Sequence, residues 1–138
     1  MGIYLIYYCW MTKMDLFRKL KEKKILLIDD DEWIRDSLSL FFQNEGCHLL
    51  ALESAEEGLE LLKKQSYEII ITDYRLPGMD GLEFFKKIQQ SHPHVVKILV
   101  TAYGNKDVVS EAMGLGIQDI INKPFTTRVI EECLSRLI

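Results

Sequence analysis

Apolar positions follow two rhythms along this chain. Short, nearly unbroken runs alternate with longer stretches in which apolar residues recur every three or four positions. The runs are "ILLID" from Ile25, "CHLLAL" from Cys47, "YEIIITD" from Tyr67, "KILVTA" from Lys97 and "QDIIN" from Gln118. Continuous runs of this length suit strands buried on both faces of a parallel sheet. Between them, "EWIRDSLSLFFQNEG" places Ile34, Leu38, Phe41 and Phe42 at helical spacing, with Gly46 in the stop position. "SAEEGLELLKKQ" opens with Ser54 and has Glu57 three residues on, a capping-box pattern. "GLEFFKKIQQ", "KDVVSEAMGLG" and "TTRVIEECLSRLI" complete five strand–helix units with no internal repeat. The alternation predicts an α/β domain, (βα)5, doubly wound with helices on both faces of a parallel sheet.

Two segments stand outside this rhythm. "MGIYLIYYCWM" is apolar and aromatic, and "TKMDLFRKLKEKK" then turns basic. The apolar run falls short of the about 20 residues that span a bilayer, and the pattern of a secretory signal is missing. Three readings of residues 1–23 stay open. They are sequence upstream of a working start at Met14, an added strand or helix packed on the domain or on a second copy, and a membrane-surface anchor. The domain proper is expected over residues 24–138.

Composition narrows the class. The 138 residues carry a net charge of −4 and are 48% hydrophobic, as in an ordinary soluble domain. An acidic balance gives no electrostatic case for nucleic acid. Cys9, Cys47 and Cys133 are far apart, with no CxxC pair, which fits reduced thiols in a cytoplasm. Cys47 and Cys133 read as core fillers, and Trp33, Phe41, Phe42, Phe84 and Phe85 as packing residues, with Trp33 close to the acidic run. His92 and His94, around a proline, read as solvent-facing.

Polar residues at the strand ends carry the chemistry. Ligands of open α/β sheets bind outside the carboxyl ends of the strands. Asp29 and Asp30 follow the first strand, Asp73 ends the third, Thr101 ends the fourth and Lys123 follows the fifth. Three carboxylates crowded at one edge suit a hard cation such as Mg²⁺, which binds through carboxylates, waters and phosphate oxygens. Asp31 suits a helix N-terminus instead. A carboxylate beside Mg²⁺ is also a nucleophile toward phosphorus, and a lysine and a hydroxyl supply counter-charge and a hydrogen bond to a transferring group.

"ILLIDDDE", "IIITDYRLPGMDG", "KILVTAYG" and "INKPF" together resemble the motifs of response-regulator receiver domains, most like those of nitrogen-regulation-type activators. The resemblance covers Lys24 to the C-terminus. It implies a flavodoxin-like sheet of order 2-1-3-4-5 and a single domain. It also implies that Asp73 accepts a phosphoryl group from a histidine kinase or phosphotransfer protein. By the same resemblance Asp29, Asp30, Asp73 and the backbone carbonyl of Arg75 hold Mg²⁺, Thr101 and Lys123 bind the phosphoryl group, and a cis peptide precedes Pro124. The family's usual switch aromatic is replaced by Ile120. Arg75 and Tyr103 stand where they can shield the phosphoryl group, or be plain exposed loop side chains. The implied partners are a kinase or phosphotransfer protein, a downstream protein or output domain, and a second copy of the chain, in the cytoplasm and without a membrane span. Two other functions compete: a pseudo-receiver adaptor that is never phosphorylated, and an Mg²⁺-dependent aspartyl-phosphate phosphatase. The phosphatase requires a second acid where this chain has Arg75.

Overall fold

The computed structural model describes residues 2–138, with side chains described for Ile3 and for residues 12–138. The chain runs α1 (Gly2–Leu20), β1 (Lys24–Ile28), α2 (Glu32–Asn44), β2 (His48–Leu52), α3 (Ala55–Leu62) and β3 (Ile69–Asp73). It continues through α4 (Gly81–Ile88), β4 (Val96–Thr101), α5 (Lys106–Gly114), β5 (Asp119–Asn122) and α6 (Thr127–Leu137). The five strands form one parallel sheet in the order β2-β1-β3-β4-β5. The expected topology holds, with a sixth helix, α1, ahead of the five strand–helix units.

Successive strand residues point to opposite faces, so each central strand feeds two cores. Ile25, Leu27, Ile69, Ile71, Ile98 and Val100 join Leu38, Phe42, Ile130 and Leu134 on the side of α2 and α6. Leu26, Ile28, Ile70 and Leu99 join Phe84, Phe85, Val108 and Ala112 on the side of α3, α4 and α5. Cys47 and Cys133 are buried, while Cys9 lies outside the residues whose side chains are described. The last turns of α1 belong to the first core. Leu16, Phe17 and Leu20 are buried there, and Phe17 meets the rings of Phe41 and Phe42 edge-on at 5.9 and 6.5 Å. Lys13 reaches Glu131 of α6 at 3.5 Å. Among the described residues no helix is long and apolar enough to cross a membrane.

The helix starts are capped as the polar spacing suggests. Ser54 Oγ accepts from Glu57 N–H at 3.2 Å, and Asp31 Oδ1 accepts from Ile34 N–H at 3.2 Å. Asp80, Asn105 and Thr126 cap α4, α5 and α6 in the same way. One expectation fails. Trp33 is not a packing residue; its side chain is 79% exposed. Five residues of helix place it about 140° around α2 from buried Leu38, so it faces away from the sheet. It flanks instead a cleft of about 480 Å³ with Ile34, Lys123, Pro124 and Phe125.

Candidate functional site

The carboxyl edge of the sheet gathers charge because β1, β3 and β5 deliver it there. Asp29 directly follows β1, and its N–H extends the ladder to Leu52 O at 3.0 Å. Its carboxylate accepts from Asp31 N–H at 2.9 Å. Its carbonyl accepts from the Arg35 guanidinium at 3.0 Å. Arg35 therefore fixes the backbone of the first acid, a role that neither its position nor its neighbours announce in the sequence.

Asp73 closes β3 and is 6% exposed. The next helix abuts it. A Cβ at Gly81 would lie 2.4 Å from the Asp73 carbonyl oxygen, so only glycine lets α4 begin this close to the acid. Gly81 N–H also closes the loop onto Tyr74 O at 2.9 Å. Lys123, carried past β5, lies between the two buried acids. Its Nζ is 3.0 Å from Asp29 Oδ2 and 3.1 Å from Asp73 Oδ2. The Lys123–Pro124 peptide bond is cis. Asp30 is exposed, yet carboxylate oxygens of Asp29, Asp30 and Asp73 all lie within 4.8 Å of one another.

Three acids and one ammonium leave the cluster electrically unbalanced. Burial, and then the charge of Asp29, push the Asp73 carboxyl up to about 6, against the opposing pull of Lys123. Burial also raises Asp29, although Asp31 N–H and Lys123 stabilise its charged form. Burial disfavours the Lys123 ammonium, but its ion pairs with Asp29 and Asp73 outweigh this and hold its pKa above the usual lysine value. The raised Asp73 is the mark of a carboxylate buried beside like charge. An all-oxygen, acid-rich donor set with three carboxylates against one ammonium fits a hard divalent cation.

Thr101 ends β4 fully buried, and its hydroxyl accepts from Tyr103 N–H at 2.8 Å. Arg75 and Tyr103 are exposed, and the guanidinium lies over the Tyr103 ring at 4.6 Å. This pairing joins the loop after β3 to the loop after β4; a stack between loops leaves no sequence signal. Ile120 is half-buried against the core on the α3–α5 side. His92 and His94 belong to no metal-capable cluster among the described residues.

Residues 25–135 match the family described as the response regulator receiver domain. The chain is 36% identical over 113 residues to the response regulator protein FleR of Pseudomonas aeruginosa, covering 82% of this chain and 24% of that protein. It is 29% identical over 116 residues to sporulation initiation phosphotransferase F of Bacillus subtilis, covering 84% and 94%. With the DNA-binding transcriptional regulator NtrC of Klebsiella pneumoniae it shares 35% identity over 99 residues, covering 72% and 21%. The chain thus spans about a quarter or less of two of these relatives and nearly all of the third. A CheY-like receiver domain from Methanospirillum hungatei superposes with a TM-score of 0.79 at 30% identity, covering 83% of this chain and 92% of that one.

Proposed function

The chain belongs to the response regulator receiver domain family, the phosphoacceptor modules of two-component signalling, and on that premise we propose that Asp73 is its acceptor. The observation that carries this reading is the position of Lys123 Nζ, bridging Asp29 and Asp73 beside a third carboxylate. An Asp73 carboxylate oxygen attacks the phosphorus of a phosphohistidine or an acyl phosphate. The new O–P bond forms as the bond from phosphorus to the donor breaks, and the donor leaves with that electron pair. In this reading Lys123 and the Thr101 hydroxyl bind the phosphoryl oxygens, and β1 and β3 hold the acids in register.

Asp29, Asp30, Asp73 and the backbone carbonyl of Arg75 would hold Mg²⁺. When bound, the ion supplies the positive charge that this cluster lacks and neutralises charge on the transferring group. Arg75 and Tyr103, stacked beside the site, screen the acyl phosphate from water. The domain that does this spans residues 24–138, works in the cytoplasm, and receives its phosphoryl group from a histidine kinase or phosphotransfer protein. It passes the signal to a downstream protein or output domain, a second copy included, through a phosphorylation-dependent surface. Uptake and hydrolysis are its own chemistry; it turns over no external substrate. An aspartyl-phosphate phosphatase would need a second acid, and the exposed Arg75 supplies none.

Intact mass after incubation with acetyl phosphate, with and without Mg²⁺, tests the assignment. One phosphoryl adduct that needs Mg²⁺ and is missing in Asp73→Asn is expected. No adduct under any condition would make the chain a pseudo-receiver adaptor, with Ile120 part of the reason. Asp30→Ala is expected to weaken Mg²⁺ in a titration; parent-like binding would remove Asp30 from the metal set.

A further inference from the structure

The opposite edge of the sheet presents the reverse problem. Lys97, the second residue of β4, is 4% exposed. Its Nζ has neither a hydrogen-bond acceptor nor an ion-pair partner among the described residues. Among the described residues no fully buried side-chain nitrogen or oxygen lacks a partner, so the unpartnered ammonium keeps its small exposure at the cleft beside it. That cleft, of about 340 Å³, is lined by Gln89, His94, Leu115, Gly116 and Gln118 among others, and no acidic residue lines it.

The neighbouring helix end does not serve Lys97. Nζ would lie 4.0 Å from a Cβ at Gly116, just past α5. The carbonyls there are already engaged: those of Glu111, Ala112 and Met113 accept from Leu115, Gly116 and Ile117 N–H groups. Gln118 is fixed from both sides. Its N–H donates to Lys97 O at 2.9 Å, and its Oε1 accepts from Lys97 N–H at 3.1 Å. The carboxamide oxygen is thus used and its NH₂ group remains to donate. His94 and Gln89 add donors whose side chains have no partner in the fold. The burial that depresses the Lys97 pKa is the cost that a bound anion offsets.

The geometry points to a small-oxyanion site, for a carboxylate or a phosphate, with Lys97 as its charge and Gln118 and His94 as further donors. An oxyanion seated there ties the start of β4 to the end of α5 and the start of β5. The site is at the far edge of the sheet from Asp73 and does not depend on the phosphoryl chemistry.

Residue-resolved NMR on the full ¹⁵N-labelled chain tests it, with inorganic phosphate and acetate in separate arms and chloride at matched ionic strength. Saturable shifts at Gly116, Gln118 and His94 are expected. In Lys97→Met affinity should fall about tenfold or more, as for loss of a charged hydrogen bond. Response to phosphate alone would define a phosphate site, and response to both a general oxyanion site; shifts at Thr101 and Tyr103 would report the acceptor site separately. Non-saturable shifts, shifts equally produced by chloride, or parent-like affinity in Lys97→Met would overturn the proposal. Should Lys97→Met not fold, His94→Ala on its exposed loop takes its place, and undiminished affinity would overturn the donor set.

Discussion

The two edges of one sheet carry opposite electrostatic imbalances. At the carboxyl edge, Asp29, Asp30 and Asp73 face a single ammonium, and Lys123 bridges two of them. At the amino edge, Lys97 stands buried with no anionic partner among the described residues. The same parallel architecture produces both, because every strand starts at one edge and ends at the other. What differs is the role of the lysine. Lys123 offsets surplus charge that the fold has already buried, whereas Lys97 is itself the surplus charge. Removing a lysine should therefore have opposite consequences at the two edges.

The largest effect belongs to Lys123→Met. It strands Asp29 and Asp73 without a counter-charge, and breaking a buried pair from one side is costly. Lys123 is 20% exposed, which moderates that cost, and a loss of about 2–4 kcal/mol at pH 8 is expected in chemical denaturation. Stability should recover as the pH falls and Asp73 takes up a proton. A variant as stable as the parent at pH 8 would mean that the lysine offsets nothing.

The parent carries the same imbalance in weaker form, and pH exposes it. Asp73 binds its proton more tightly folded, at about 6, than unfolded, near 3.8. Between those values the folded state holds more protons, so stability falls as pH rises. Integrated across that shift, the decrement is at most about 3 kcal/mol, fully present above pH 6 and removed below pH 4. Mg²⁺ should stabilise the protein at pH 8 and do little at pH 4, where Asp73 is protonated. Unfolding curves at the two pH values, with and without Mg²⁺, check both statements. Stability that rises through this window would give the cluster the opposite sign.

A smaller effect, in the favourable direction, is expected from Asp73→Asn without Mg²⁺. The amide keeps the shape, removes one like charge, and leaves Lys123 paired with Asp29. A gain of about 1–2 kcal/mol at pH 8 and a flatter curve between pH 4 and 6 should follow. A loss of stability would show that the carboxylate helps the fold that it is here held to strain.

How far the sequence reveals these edges depends on what sort of interaction built them. The fold is legible because burial on both faces forces runs such as "EIIITD", and because Ser54 with Glu57 marks a helix start. The acids, Thr101 and Lys123 are legible because polar residues that end apolar strands must share one edge. Contacts between elements far apart in the chain are not legible. The hold of Arg35 on Asp29 O and the stacking of Arg75 on Tyr103 depend on side-chain reach, which no spacing encodes. Trp33 misleads because its size suggests the core while its angle on α2 denies it. The basic-aromatic start gives three readings and no pattern that selects α1, whose Phe17 nonetheless completes a core. Lys97 is hidden for a simpler reason: one lysine at the start of an apolar run looks like a strand boundary.

Lys97→Met is expected to produce the smallest change, and its sign is what matters. Methionine fills the space of the lysine stem and removes an ammonium that no protein group satisfies, so the core keeps its packing and sheds a desolvation cost. Nζ retains a little exposure, which keeps the expected gain at about 1 kcal/mol or less in anion-free buffer. In saturating phosphate the parent should recover that difference, because the anion stabilises only the form that binds it. Thermal unfolding of both chains in the two buffers reads this directly. A loss comparable to that of Lys123→Met would mean that Lys97 has an internal partner in solution, and the contrast between the two edges would collapse to a difference in burial alone.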